Sequence, residues 1–338
     1  MFVRDYFEKQ QHYENIYGNK TVVLYQMGSF YEILSKYNGD KIVGNAFLCG
    51  KILNFLVKQN EEEDPQKTFW KAGIPLATFD RHFKVLIENG ITGVIIKQDA
   101  NNDNKRYVDS IQGPSTFLES QNTNNYLCCV YFLYDDLIGI SLFDVCTAAV
   151  FVSSTTSFND LRRILETYNP NEIITNNHKI KLLYDNVHIR EFLDFKNVDY
   201  QHEILKKVYQ NHCCQSKFQE YLNIDGYPEI CSSLTQMFQF CYEQNPNILQ
   251  NIHIPIFIEN DCLNIFNNAL IQLNIINGKK SLFEFLDKTS TQMGKRLLQK
   301  HITQPRTLVS EIKKMYTDVT SCVQLIDTLE KKLENIVD

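Results

Sequence analysis

The runs Thr21-Val-Val-Leu-Tyr-Gln26 and Phe30-Tyr-Glu-Ile-Leu34 stand on either side of Met27-Gly28-Ser29. β-Branched and aromatic residues at this density favour extended chain, and the glycine permits an abrupt reversal. Two strands joined at Gly28 are therefore predicted, and the flanking pattern supplies what would cover them. Ahead of them Met1 to Lys20 reads as a helix with Phe2, Tyr6, Tyr13 and Tyr17 on one face. Behind them come an Asn38-Gly39-Asp40 turn, a helix through Phe47 to Val57 and a solvated acidic loop, Glu61 to Pro65. A strand from Phe69 to Pro75 follows, then a helix capped by Thr78 that carries Phe79, Phe83, Leu86 and Ile87. Strands from Ile91 to Lys97 and from Arg106 to Ile111 close a mixed α/β unit near Pro114.

The polar stretch Glu119 to Asn125 reads as a linker. Strands follow at Tyr126 to Tyr134, Ile138 to Asp144 and Ala148 to Ser153, the first two joined at Asp135-Asp136. A helix from Phe158 to Tyr168, the strand Glu172 to Thr175 and another helix complete a pattern expected of a ribonuclease-H-like sheet. From about Gln201 the chain reads as helical. Ser281 and Glu284 form a capping box ahead of Leu282, Phe283, Phe285 and Leu286, and a further helix carries Met293, Leu297, Leu298 and Ile302. Val309, Ile312, Tyr316, Val319, Val323, Ile326, Leu329 and Leu333 then alternate spacings of three and four. Such a seam must be buried, so the chain is expected to be the front part of something larger or to pair with another subunit.

At 338 residues and 43% hydrophobic content, two or three globular domains are expected. The absence of a signal-like start and of a long apolar run predicts an intracellular protein, cytoplasmic or nuclear, with a viral factory or an organelle as further settings, and no membrane. The ten cysteines include the pairs Cys128-Cys129 and Cys213-Cys214 but no C-x-x-C, and are read as reduced core residues. His212, Cys213, Cys214 and Cys231 lack the paired spacing of zinc ligands, and no metal is assigned. A net charge of −6 excludes a surface that binds nucleic acid all over but permits a local site. Between Lys71 and Arg106 basic residues slightly outnumber acids.

Leu24-Tyr-Gln-Met-Gly-Ser-Phe-Tyr-Glu32 resembles the mismatch-recognition motif of MutS proteins, whose usual form is close to Y-x-M-G-D-F-Y-E. Lys71-Ala-Gly-Ile-Pro75 is similar to the family's A-G-I-P-x-H segment, Leu86 to Gln98 to the helix and strand after it, and Gly113-Pro-Ser-Thr116 to its T-P-G-T. Leu142-Phe-Asp144 and Tyr168-Asn-Pro-Asn-Glu172 resemble the connector domain. Ser281 to Thr289, Met293-Gly-Lys-Arg-Leu-Leu298 and Gln304-Pro305 are similar to the start of the lever domain. Ser29 replaces the common aspartate, and Leu76-Ala77 stands where a histidine is usual. Between Asp185 and Glu259 the likeness is weak.

The resemblance implies an α/β multidomain chain. It would have a mismatch-recognition domain over 1–118, a ribonuclease-H-like connector over 119–200 and the incomplete start of an all-α lever over 201–338. It assigns DNA contact to Phe30 and Glu32; the bend at Gly28 is expected to present them, and the basic residues Arg81, Lys84 and Arg106 are expected to touch phosphate. Alternation on a strand puts Phe30 and Glu32 on one face and Tyr31 in the core. An aromatic wedge in the minor groove costs a few kcal/mol of unstacking and yields a kinked duplex, and a mismatch lowers that cost. Near phosphates the Glu32 carboxylate is prone to hold a proton and suits hydrogen bonding to a displaced base; against perfect duplex its charge is a penalty.

The expected partners are duplex DNA with mismatches or small loops, and a second MutS-type subunit or the family's ATPase part. No G-x-x-x-x-G-K-[ST] occurs, so the chain is expected to be no enzyme and to hold no cofactor, ATP and magnesium belonging to the family's ATPase domain. Two other readings stay open. One is a protein-interaction or decoy module with a vestigial wedge; the other is a ribonuclease-H-like nuclease using Asp144, which would need carboxylate partners to hold two metal ions.

Overall fold

A computed structural model describes residues 2–326 except 40, 61–67, 100–101, 118–123, 135, 183, 185–186, 190–196, 211–216, 259–261, 264, 266–268 and 277–279. The acidic loop, most of the linker at 119–125, Asp135, the His212-Cys213-Cys214 cluster and the seam residues Leu329 and Leu333 fall outside the described residues.

The first unit comprises α1 (Phe2–Tyr17), β1 (Thr21–Met27), β2 (Phe30–Asn38), β3 (Lys41–Val43), α2 (Ala46–Leu53), β4 (Lys58–Gln59), β5 (Trp70–Pro75), α3 (Phe79–Glu88), β6 (Thr92–Asp99) and β7 (Asn102–Gln112). Its sheet runs β4-β5-β2-β1-β6-β7, with β3 on the far end of β2. β1 lies antiparallel to β2 and parallel to β6. The apolar run of β1 reflects cover on both faces. Val23 and Tyr25 pack with Tyr6 and Phe7 of α1, while Val22 and Leu24 pack with Phe83 and Leu86 of α3.

Three local expectations differ here. The helix predicted to reach Val57 stops at Leu53 because Asn54 adopts a left-handed φ of 56°, which ends the helix. β3 and β4 were not foreseen. Thr78 stands at the start of α3, but its side chain caps no helical N–H and its hydroxyl turns back to the Pro75 carbonyl at 3.4 Å.

The second unit comprises β8 (Tyr126–Phe132), β9 (Ile138–Asp144), β10 (Ala149–Thr155), α4 (Phe158–Tyr168), β11 (Glu172–Thr175), α5 (His178–Lys181), β12 (Val187–Ile189), α6 (Val198–Val208), α7 (Phe218–Tyr221), α8 (Pro228–Gln244) and β13 (Ile256–Phe257). The sheet order is β12-β11-β8-β9-β10-β13. β8, β9 and β10 form an antiparallel meander, and β11 and β12 continue it in parallel. α4, capped by Ser157 accepting from the Asp160 N–H, covers one face through Leu161, Ile164 and Leu165. α8 covers the other through Ile230, Leu234 and Met237. A Cβ at Gly139 would lie 2.1 Å from the Glu229 carbonyl oxygen, so backbone meets backbone where α8 crosses β9. Packing on this sheet therefore continues past the boundary expected at residue 200, through α8 and on to β13 beside β10.

The two sheets share one apolar cluster. Tyr17 of α1 meets Phe240 of α8 edge-on at 6.2 Å, and Ile111 of β7 belongs to the same core. The segment after β7 ties into the second sheet. Glu172, buried on β11, accepts from the Ser115 N–H at 2.9 Å and from its hydroxyl, and lies 2.9 Å from His188 Nε2 on β12. Thr116 donates to Gln244 of α8, and the Asn125 amide to the Pro114 carbonyl at 3.1 Å.

The third region holds α9 (Ala269–Gln272), α10 (Leu282–Leu286), α11 (Gln292–Thr303) and α12 (Val309–Gln324). Ser281 accepts from the Glu284 N–H at 3.1 Å, but the Glu284 carboxylate reaches back to the Lys280 N–H, one residue beyond the Ser281 N–H of the expected box. An isolated bridge between Cys262 and Arg306 adds strand-like pairing to a region expected to be all helix. The seam residues Val309, Tyr316, Val319 and Val323 are exposed, and no residue of α12 is buried. Among the described residues no helix is long and apolar enough to cross a membrane.

Candidate functional site

The turn between β1 and β2 has only Gly28 and Ser29 at its centre, since Met27 pairs directly with Phe30. Gly28 has a φ of 58° and nothing within 4 Å of a Cβ placed on it, so backbone conformation, not space, demands glycine there. The turn is tied on both sides. Its Ser29 carbonyl accepts from the Leu76 N–H at 3.0 Å, and its Gly28 N–H donates to Gln98 Oε1 at 3.3 Å.

Strand alternation then sorts the three residues that follow. Tyr31 is 3% exposed and packs on Phe79 at 4.3 Å, whereas Phe30 is 44% exposed at the mouth of the hairpin. Glu32 lies on the Phe30 face, opposite Tyr25 on β1 and Gly73 on β5. A Cβ at Gly73 would stand 3.4 Å from Phe30 Cδ1 and 3.7 Å from both Glu32 carboxylate oxygens, so the glycine lets ring and carboxylate lie close over β5. Glu32 Oε2 is buried with no hydrogen-bond partner, and Oε1 is 3.9 Å from Lys71 Nζ. Burial raises the Glu32 pKa, and the Lys71 ammonium opposes the rise only in part. An unpartnered acceptor beside an exposed ring can take a hydrogen bond from an incoming group that the ring has displaced.

The predicted cations divide between the two faces of the sheet. Arg106 joins the site: its Nε donates to the Gln26 carbonyl at 3.2 Å, its Nη2 to Met27 Sδ at 3.2 Å, and its guanidinium lies 5.4 Å over the Tyr25 ring. Arg81 and Lys84 do not. They belong to α3, which packs on the Tyr31 face, opposite Phe30 and Glu32.

Sequence reasoning missed Lys58 on the wedge face. It pairs across the ladder with Lys71, whose ammonium lies 3.9 Å from Glu32, so two lysines stand directly opposite each other on this face. Like charges directly opposite are unfavourable, and an approaching polyanion offsets the cost. Strand register, invisible before the β4 pairing was known, was the missing signal. Gln26 and Gln98 were likewise passed over, because neutral amides carry no charge signal.

The nuclease candidate is occupied by its own loop. Buried Asp144 accepts from the Asn125 and Cys146 N–H groups, the Asn124 amide and the Thr147 hydroxyl. Burial raises its pKa against these bonds. Among the described residues no group of three or more His, Cys, Asp or Glu side chains could hold a metal ion. The Cys231 thiol donates to the Ile224 carbonyl within the core.

Comparison with known proteins matches residues 2–121 to MutS domain I, 125–224 to MutS domain II and 262–338 to MutS domain III. A putative DNA mismatch repair protein mutS homolog of Acanthamoeba polyphaga mimivirus is 25% identical over 98% of this chain and 36% of its own length. The mitochondrial DNA mismatch repair protein mutS homolog of Sarcophyton glaucum is 22% identical over 95% of this chain and 40% of its own length. The DNA mismatch repair protein MutS of Clostridioides difficile is 26% identical over 99% of this chain and 36% of its own length. The chain thus spans well under half the length of these relatives.

Proposed function

Because the chain belongs to the MutS family through domains I, II and III, we propose that it binds mismatched duplex DNA in mismatch repair, with Phe30 as a minor-groove wedge. The observation that carries this reading is the exposed Phe30 ring on a turn tied from both sides, beside a Glu32 oxygen that is buried and unpartnered. The ring enters between base steps where a mispair has already weakened stacking, and the duplex kinks around it. Glu32 accepts a hydrogen bond from the displaced base or, holding a proton, donates one. Arg106, Lys58 and Lys71 meet phosphate.

The second sheet, a three-strand meander continued by two parallel strands, serves in this proposal as the ribonuclease-H-like connector, and the helices from Ala269 onward as the start of the lever. Recognition is assigned to this chain. ATP and magnesium are assigned to the family's ATPase domain: the phosphate-binding glycine loop that would hold them does not occur in this sequence.

Substituting Phe30→Ala tests the reading directly. The chain should lose its preference for a duplex with one G·T mismatch over the matched duplex, by at least about tenfold if the wedge supplies the few kcal/mol typical of unstacking contacts. Unchanged preference, with unchanged thermal stability, would discard the wedge and favour the protein-interaction reading.

A further inference from the structure

The backbone ladder between β1 and β6 ends at the pair of Tyr25 and Ile96, short of the turn that carries Phe30. Beyond that pair two glutamine side chains continue the connection. Gln26 Oε1 accepts the Gln98 N–H at 2.9 Å, and Gln98 Oε1 accepts the Gly28 N–H at 3.3 Å. The register of β6 on β7 also shifts between Gln98 and Asp99, the local irregularity that diverts a strand from its neighbour. Side-chain amides thus replace backbone pairing where the strands separate.

We propose that Gln98 is a positioning residue for Phe30, fixing through the Gly28 N–H the turn that presents the ring. The inference rests on the wedge reading. The two ties on the turn differ in kind. On the β5 side the Ser29 carbonyl is held by a backbone N–H, that of Leu76, but on the β6 side the acceptor is a side chain. A neutral amide makes this tie without adding charge beside incoming phosphates.

A wedge must arrive ordered, because a turn that is fixed only on insertion spends part of the insertion energy on its own ordering. On matched duplex the ring stays outside the stack. The tie therefore acts on preference more than on general affinity. Gly28 contributes the positive φ that aims its N–H, and Gln98 holds that N–H in place.

Two variants separate the hydrogen bond from bulk. Gln98→Met keeps length and removes the acceptor, whereas Gln98→Glu keeps an acceptor at the same reach. Binding of the chain to a G·T duplex and to its matched counterpart is measured by fluorescence anisotropy, alongside backbone amide exchange of the segment containing Gly28. Gln98→Met should lower the mismatch preference by roughly five- to tenfold and speed exchange at the turn. Gln98→Glu should keep both preference and protection, its added charge weakening binding to the two duplexes alike.

The proposal is overturned if Gln98→Met retains wild-type preference while Phe30→Ala abolishes it, or if both Gln98 variants lose preference equally. If Phe30→Ala itself leaves preference intact, the wedge reading is the one that fails.

Discussion

Glu172 of β11 and His188 of β12 meet at 2.9 Å inside the second sheet, and the carboxylate also takes the N–H and hydroxyl of Ser115 from the segment after β7. Both partners are buried, so removing one strands the others away from water. Glu172→Ala should cost about 3–5 kcal/mol of unfolding free energy. Glu172→Gln, which still accepts from Ser115, should cost about 1–2 kcal/mol. Urea denaturation midpoints check both, and an unchanged midpoint in the alanine variant would show that the junction carries no load.

At Gly139 the obstacle is backbone. A Cβ there would stand 2.1 Å from the Glu229 oxygen and 2.8 Å from the Ile230 nitrogen, and neither can rotate away. Gly139→Ala should therefore destabilise the chain by at least about 1–3 kcal/mol as α8 is pushed off β9. Thermal unfolding measures it. Gly28→Ala, with no atom in the way, should be limited to left-handed strain of about 1–2 kcal/mol.

The Glu32 carboxyl titrates above the ordinary glutamate range because it is buried. A folded-state pKa raised above the unfolded value gives stability that is fully present at low pH and declines as pH rises through the raised value. Phosphate nearby pushes in the same direction, so mismatch binding should take up a proton and weaken over that interval. Glu32→Gln should flatten the pH dependence of both stability and binding. It should also strengthen matched-duplex binding more than mismatch binding, lowering the preference roughly three- to tenfold. Titrations of binding against pH decide it; a pH profile equal to the parent would remove the carboxyl from the site.

Lys58 and Lys71 should act through salt. Replacing both with alanine should reduce the slope of log affinity against log salt concentration by about 2, equally for matched and mismatched duplex. Relieving the like-charge pair should leave folding stability unchanged or slightly higher. A slope equal to the parent's would place these lysines off the phosphate path.

The first sheet was legible because β1 and β2 announce themselves by residue type and β2 by alternation: Tyr31 is buried and Phe30 is not. Charge was a poorer guide. Arg81, Lys84 and Arg106 looked equivalent along the chain, yet only the strand residue shares a face with Phe30, because α3 lies across the sheet. α8 was nearly silent for the opposite reason. Its Ser232, Ser233, Thr235 and Gln236 suggest a wet helix, but all four are buried, Ser233 against Ser141 at 2.6 Å and Gln236 against the Cys129 thiol. Small polar residues let two backbones approach, and single-sequence periodicity cannot tell that use from solvent exposure. The seam of α12 shows the reverse error, an apolar stripe correctly read and left uncovered in this chain.

Tyr17 resting edge-on against Phe240 makes the wedge sheet a poor candidate for excision. A piece ending at Phe117 would carry every proposed DNA contact, yet it would bare Tyr17 and Ile111 to water and leave Ser115 without Glu172. The proposed recognition surface and its support thus share one core and are expected to unfold together. On the proposed function, an angle that DNA imposes on the hairpin would be handed through this shared core to β11 and α8, so the second sheet would register a bend in a duplex it need never touch.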